Sequence, residues 1–347
     1  MTLTNWFPVR WQPRRLIYNG VPPRLPVPMS RIILAPMEGM CDEIMREVLT
    51  NVGGYDWCVT EFVRVSNNVL PRRSFTRVAP ELLHGARTRA GTPVRVQLMG
   101  SDPELLAASA ARLVTLNPAG VDLNFGCPAP TVNRHRGGAA LLDEPEVLHA
   151  IAAALRPVVP RSMPFTAKMR LGIRCSTRAE ECAQALEAGG VDEIVVHGRT
   201  KVDGYRPPAR YDGIARVREA VKIPVIANGE IWTLEDYQRC LEETGCSDVM
   251  LGRGAIADPF LARRIRGEQT PGWEALQPEL ENFWRMVCRK VISKHAPGRL
   301  KQFLALLRRA YPEADLLAQR VRPLNEAAEV EAVLIEAGIV RPLLAAA

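Results

Sequence analysis

From Ile32 onward the chain alternates short, β-branched apolar runs with longer stretches whose apolar residues recur every three or four positions. This is the pattern of repeated strand–helix units. The runs predicted as strands are Ile32–Ala35, Trp57–Glu61, Val94–Leu98, Val121–Asn124, Phe165–Arg170, Glu193–His197, Pro224–Ala227 and Asp248–Leu251. Segments such as Glu104–Leu116, Glu146–Leu155, Ala179–Ala188 and Leu234–Glu243 carry the helical period between them. Eight such units over about 230 residues predict an α/β fold, a closed (β/α)₈ TIM barrel. A doubly wound open sheet is the alternative, but no glycine fingerprint for a dinucleotide follows the first strand.

After Gly272 the strand signal stops. Glu279–Lys294, Leu300–Tyr311, Glu313–Val321 and Ala327–Ala337 read as helices, punctuated by Pro297-Gly298, Pro312 and Pro323. The organisation expected is a barrel over residues 29–272 followed by a C-terminal helical bundle over residues 273–347. Residues 1–28, with two tryptophans and six prolines, show neither period and read as an irregular N-terminal extension. Met29, directly before the first strand, fits a natural start.

Composition narrows the class. With 47% hydrophobic and 24% charged residues over 347 positions, the chain has the balance of a globular protein with a large core. Its net charge of +7 favours polyanionic partners. No apolar run reaches the roughly 20 residues that span a bilayer, and no secretion signal opens the chain, so a cytoplasmic, monomeric protein without membrane contact is expected. The eight cysteines form no CxxC pair and no Cys/His cluster, which argues against disulfides and against a metal site.

Barrels of this kind place their chemistry at the C-terminal ends of the strands. There the sequence turns polar: Pro36-Met37-Glu38-Gly39, Glu61, Gln97, Asn124-Phe125-Gly126-Cys127-Pro128, Lys168 and Arg170, His197-Gly198-Arg199-Thr200, Asn228-Gly229-Glu230 and Gly252-Arg253-Gly254. The last two loops hold the positions where such barrels seat a phosphate, with Arg253 adding charge. Either loop alone is also explained by glycines that permit tight turns.

Lys168 and Arg170 share one face of an otherwise apolar strand, where burial without an anion is costly. A flavin satisfies that need, with the lysine beside the pyrimidine end of the ring and Gln97 on the same edge. An internal salt bridge from Lys168 to Glu61 is the structural alternative. Cys127 sits on a constrained Gly-Cys-Pro turn facing the barrel mouth, as a candidate acid or nucleophile. His197, at a strand end, is placed to touch cofactor or substrate. The tail adds ten basic residues between Arg285 and Arg322 against only Glu313 and Asp315, a density suited to a nucleic-acid backbone or to a solvated face.

Taken together, Ala35-Pro36-Met37-Glu38-Gly39, Asn124-Phe125-Gly126-Cys127-Pro128, Val196-His197-Gly198-Arg199-Thr200 and Ala227-Asn228-Gly229-Glu230 resemble the tRNA-dihydrouridine synthases. The segment Thr60-Glu61-Phe62-Val63-Arg64-Val65 is most similar to the bacterial class C enzymes, which act on uridine 16 of the D-loop. The resemblance runs over about residues 31 to 325 and implies an oxidoreductase with an FMN-bearing barrel and a helical tRNA-binding part, for which NADPH is the expected reductant. Carried over by position, it implies FMN contacts from Pro36, Met37, Glu38, Gln97, Lys168, Asn228, Gly229, Glu230, Gly252 and Arg253, to which His197 is added from its strand-end position. It assigns the acid to Cys127 and tRNA contacts to Arg64, Asn124, Tyr205, Arg299, Lys301, Gln302 and Arg322. Pro130 stands where many members have a lysine. Two other functions fit parts of the pattern: an FMN oxidoreductase of the dihydroorotate or dihydropyrimidine type acting on small pyrimidines, and a non-catalytic RNA-binding protein built on a barrel.

Overall fold

The structure is a computed structural model and describes residues 30–134 and 136–342. The N-terminal extension, Met29 and the last five residues of the expected helical part lie outside the described residues. Among the described residues nine strands form one parallel sheet: β1 (Ile32–Leu34), β2 (Trp57–Val59), β3 (Val63–Arg64), β4 (Val94–Met99), β5 (Val121–Phe125), β6 (Phe165–Arg170), β7 (Glu193–His197), β8 (Val225–Asn228) and β9 (Asp248–Leu251). β1 lies between β9 and β2, β2 pairs with β4, and β4 to β9 follow in chain order, so eight strands close a ring. The (β/α)₈ barrel read from the sequence is the fold observed. β3, only two residues long and absent from the sequence reading, continues the track of β2 and pairs with the end of β4 at Val63–Leu98.

Strand alternation divides the apolar residues into two populations. Ile33, Ala35, Trp57, Val59, Val195, Ile226 and Met250 form a small cluster in the barrel lumen. Their sequence neighbours, among them Ile32, Leu34, Cys58, Ile194, Val196 and Val249, join the large cluster between strands and helices. The β4–β6 side of the lumen is polar instead, filled by Arg95, Gln97, Asp122, Asn124, Thr166 and Lys168, all buried. Helix starts follow local chemistry. Asp42 caps the helix Glu43–Val52 by accepting from Met45 N–H at 3.0 Å, and Asp102 caps Pro103–Val114 through Leu105 N–H at 2.9 Å.

The helical part departs from the sequence reading at its starts. Its first long helix runs Trp273–Lys290, with Pro278 inside it, and the next runs Ala296–Leu307. Pro297 was read as punctuation, but it occupies the first turn, where a missing N–H breaks no helical bond. Helices Pro312–Val321 and Ala327–Glu336 follow. The apolar cluster outside the barrel extends without a break through Leu276, Phe283, Trp284, Phe303 and Leu334. Buried Tyr311 donates its hydroxyl to Asp258 Oδ1 at 2.8 Å, tying the helical part to the loop region after β9.

Candidate active site at the mouth of the barrel

Cys127 stands two residues beyond β5 on a turn built by Asn124. The Asn124 carboxamide oxygen accepts from Gly126 N–H at 3.0 Å and Cys127 N–H at 2.9 Å. Arg170 donates to the Gly126 carbonyl at 2.8 Å, and the Cys127 carbonyl accepts from Asn133 Nδ2 at 3.0 Å and Ala139 N–H at 3.1 Å. Gly138 closes the turn. It has φ +62°, and a Cβ there would lie 2.8 Å from the Cys127 carbonyl oxygen, so the site admits only glycine without displacement. Burial, with Glu38 adding to it, pushes the Cys127 thiol above its ordinary range, although Ala129 N–H, Arg170 and Arg64 pull the other way. The group is therefore held as a thiol at neutral pH, which suits an acid better than a nucleophile.

A second layer lies deeper in the lumen. Asn124 Nδ2 donates to Gln97 Oε1 at 2.6 Å, Gln97 Nε2 to Asp122 Oδ2 at 2.7 Å, and Thr166 to the other Asp122 oxygen at 2.5 Å. Gln97 and Asn124 are thus engaged at both ends of their carboxamides. The polar residue in the middle of Val121-Asp122-Leu123 was the available signal for this chain. Lys168 Nζ donates to Asn228 Oδ1 at 2.8 Å, while Asn228 Nδ2 donates to the Met250 carbonyl at 2.7 Å and so fixes which way its amide faces. The expected alternative, a Lys168–Glu61 salt bridge, is not formed. Burial and nearby Arg170 bring the Lys168 amine down to about 7, despite Asp122. Among the described residues Lys168 and Arg170 have no carboxylate partner, and Arg170 is held by the carbonyls of Gly126, Thr200 and Gly204.

The loops after β7, β8 and β9 complete the mouth. Arg199 pairs with Glu230 and has its guanidinium 3.2 Å from His197 Nε2, so the imidazole accepts there and carries its proton on Nδ1. Burial, then Arg170, Lys168, Arg199 and Arg253, drive His197 well below its usual range and keep it neutral. Gly229, at φ +119°, lies so close to His197 that a Cβ would meet the ring at 2.8 Å. Glu230 adopts φ +59°, a conformation uncommon for a residue with a side chain. Arg253 is packed between the rings of Tyr205 and Trp232, 4.9 and 5.2 Å from their centroids. Met37 reaches the same region, its sulfur 3.8 Å from where a Gly252 Cβ would stand.

In the loop after β1, which lies beside β9 in the ring, the Gly39 peptide is held from both sides. Its N–H donates to Glu61 at 2.5 Å, and its carbonyl accepts from Arg299 at 3.0 Å and Gln302 at 2.9 Å, both from the helical part. Arg299 also pairs with the cap residue Asp42 at 2.7 Å. Burial and the neighbouring Glu38 carboxylate bring Glu61 up to about 7. Of the residues expected to touch RNA, Arg299 and Gln302 therefore serve the flank of the Pro36–Gly39 loop, and Lys301 donates to the Leu324 carbonyl at 2.5 Å. Arg322 is exposed, Tyr205 keeps 44% of its surface open at the mouth, and Arg64 sits on β3 near Cys127. Pro130 opens a one-turn helix beside the Cys127 loop. Sequence reasoning gave no role to Trp232 and counted Arg309 only within the basic density of the tail; their side chains meet with a guanidinium-to-ring distance of 4.0 Å. Among the described residues no His, Cys, Asp or Glu cluster could hold a metal ion, and no helix is long and apolar enough to cross a membrane.

Comparison with known proteins places this geometry. A protein named tRNA-dihydrouridine(16) synthase from Aquipseudomonas alcaligenes is 54% identical over 310 residues, covering 88% of this chain and 98% of that protein. One of the same name from Pseudomonas putida is 52% identical, covering 91% of this chain and 100% of that protein. Among solved structures, histamine dehydrogenase from Rhizobium sp. 4-9 superposes with a TM-score of 0.54 at 13% identity, over 76% of this chain and 50% of that one. That likeness speaks to the barrel fold alone. The sequence profile of the family described as Dihydrouridine synthase (Dus) matches residues 33–333, barrel and helices alike. The chain belongs to the dihydrouridine synthase family.

Proposed function

We propose that this chain is a flavin-dependent tRNA-dihydrouridine synthase that reduces the C5–C6 bond of a D-loop uridine, uridine 16, with NADPH as reductant. The observation that carries the reading is a thiol held protonated at the rim of a mouth in which buried Lys168 and Arg170 have no carboxylate partner among the described residues. The names of the relatives above support the substrate and its position.

The residues fit FMN. Lys168, bonded only to a neutral amide oxygen, suits the anionic pyrimidine edge of a reduced flavin, and Asn228 aims it there. Arg253 and the Asn228–Glu230 loop suit the phosphate, and Met37 with Glu38 borders the ring. His197, neutral and locked by Arg199, would serve as a hydrogen-bonding wall. When bound, reduced FMN supplies the hydride for C6 of the uracil.

The chain's own part is the proton and the pose. Cys127 Sγ would donate to C5, and burial keeps that proton on the sulfur at neutral pH. Asn124, Arg170 and Gly138 fix the turn, so the thiol is aimed before the substrate arrives. The uridine must leave its stack to reach the mouth. Tyr205 and Arg64 border its path, with Lys301 and Arg322 on the helical side for the RNA backbone. Mapping dihydrouridine in tRNA from a strain lacking this chain tests the reading: position 16 should be unmodified, and restored by the wild-type chain. Unchanged modification at position 16 would refute it.

A further inference from the structure

Trp232 lies two residues past Glu230 and is fixed at both ends. Its indole N–H donates to Glu230 Oε1 at 3.0 Å, and its backbone N–H donates to Asp236 Oδ2 at 3.0 Å. Two guanidiniums use this ring. Arg253, after β9, places Cζ 5.2 Å from the indole centroid, and Arg309, on the turn that ends the helix Ala296–Leu307, places Cζ at 4.0 Å. Arg309 is thus one more point, besides Arg299, Gln302 and Tyr311, at which the helical part reaches the loops of the barrel.

The charge of Arg253 is unbalanced among the described residues. Glu230, the nearby acid, is already engaged by Arg199 and by the indole N–H. Among the described residues Arg253 has ring contacts but no carboxylate partner. Burial holds Arg253 below the usual guanidinium range; burial and Arg253 together do the same to Arg309. Two like charges brought to one ring repel, and a dianion between them turns that repulsion into attraction. Arginine is the side chain best suited to grip a phosphate with paired donors.

We propose that Arg309 is a second phosphate arginine, which with Arg253 flanks Trp232 and holds the terminal phosphate of the mononucleotide bound in the barrel mouth. The cofactor is then gripped from the barrel and from the helical part together. This rests on the reading that FMN occupies the mouth. It makes affinity for the phosphate, and not for the ring, depend on a residue of the helical part.

The test uses the full chain stripped of flavin and titrated with FMN and with riboflavin, which differ only in the phosphate, by flavin fluorescence. Wild type should prefer FMN. Arg309→Met, which keeps a side chain on the indole but no charge, should lose roughly tenfold in FMN affinity. Its riboflavin affinity should not change, and its melting temperature without ligand should not fall. Arg309→Lys should keep most of the preference. Unchanged FMN affinity in Arg309→Met, or FMN and riboflavin affinities falling together, would overturn the proposal and make Arg309 a packing residue. If wild type itself shows no preference for FMN, the reading of the mouth as an FMN site fails as well.

Discussion

Lys168→Met should make the ligand-free protein more stable and its flavin site worse. The amine falls from 10.5 to about 7 on folding, and at about 1.4 kcal/mol per unit this is a penalty of about 5 kcal/mol when the group is charged in both states. The unfolded chain binds the proton more tightly, so the penalty is complete below pH 7. It is relieved as pH rises from about 7 to 10.5. Methionine fills similar space without charge, but it leaves Asn228 Oδ1 without its donor, which costs about 1–3 kcal/mol. The variant stripped of flavin should therefore exceed wild type by about 2–4 kcal/mol at pH 6. That advantage should shrink by about 1.4 kcal/mol per pH unit above 7 and vanish between about pH 8 and 10. Urea unfolding of both proteins at half-unit pH steps reads this difference, and FMN titration should show weaker binding by the variant. A variant less stable than wild type at pH 6, or a difference that does not move with pH, would refute the argument.

Two further outcomes follow from the geometry. Gly138→Ala forces a Cβ to within 2.8 Å of the Cys127 carbonyl at φ +62°; it should destabilise by about 1–3 kcal/mol and slow uracil reduction more than it weakens FMN binding, and wild-type turnover in this variant would contradict the role given to the turn. Arg299→Met should lower both tRNA and FMN affinity, because it releases the Gly39 carbonyl and Asp42, whereas Arg322→Met should leave FMN alone and flatten the log–log salt dependence of tRNA binding by roughly 0.7–0.9; equal FMN affinity in the two variants would show that the Gly39 contact does not shape the site.

The eight barrel strands were legible because each is a short β-branched run between helical periods, and β6, β7 and β9 fall on the residues expected. The two-residue β3 was not, since a pair such as Val63-Arg64 carries no period. Cations inside an apolar strand announced Lys168 and Arg170, but only the folded lumen shows that Asn228, and not Glu61, receives the amine. Basic density in the tail pointed to RNA without separating exposed Arg322 from Arg299, whose side chain is spent on Gly39, Asp42 and Gln302. Trp232 and Arg309 lie far apart in the chain, and nothing local to either marks their meeting. Pro297 misled because a proline in the first turn of a helix is tolerated as readily as one before it.

The most direct test of the account is dihydrouridine mapping in unmodified tRNA incubated with the FMN-loaded protein and NADPH, wild type beside Cys127→Ala. Wild type should form dihydrouridine at position 16. Cys127→Ala should bind FMN and be reduced by NADPH as wild type is, yet form the product about 10² to 10⁴ times more slowly. Product at another position would contradict the assignment of the substrate, and equal rates in the two proteins would contradict Cys127 as the proton donor.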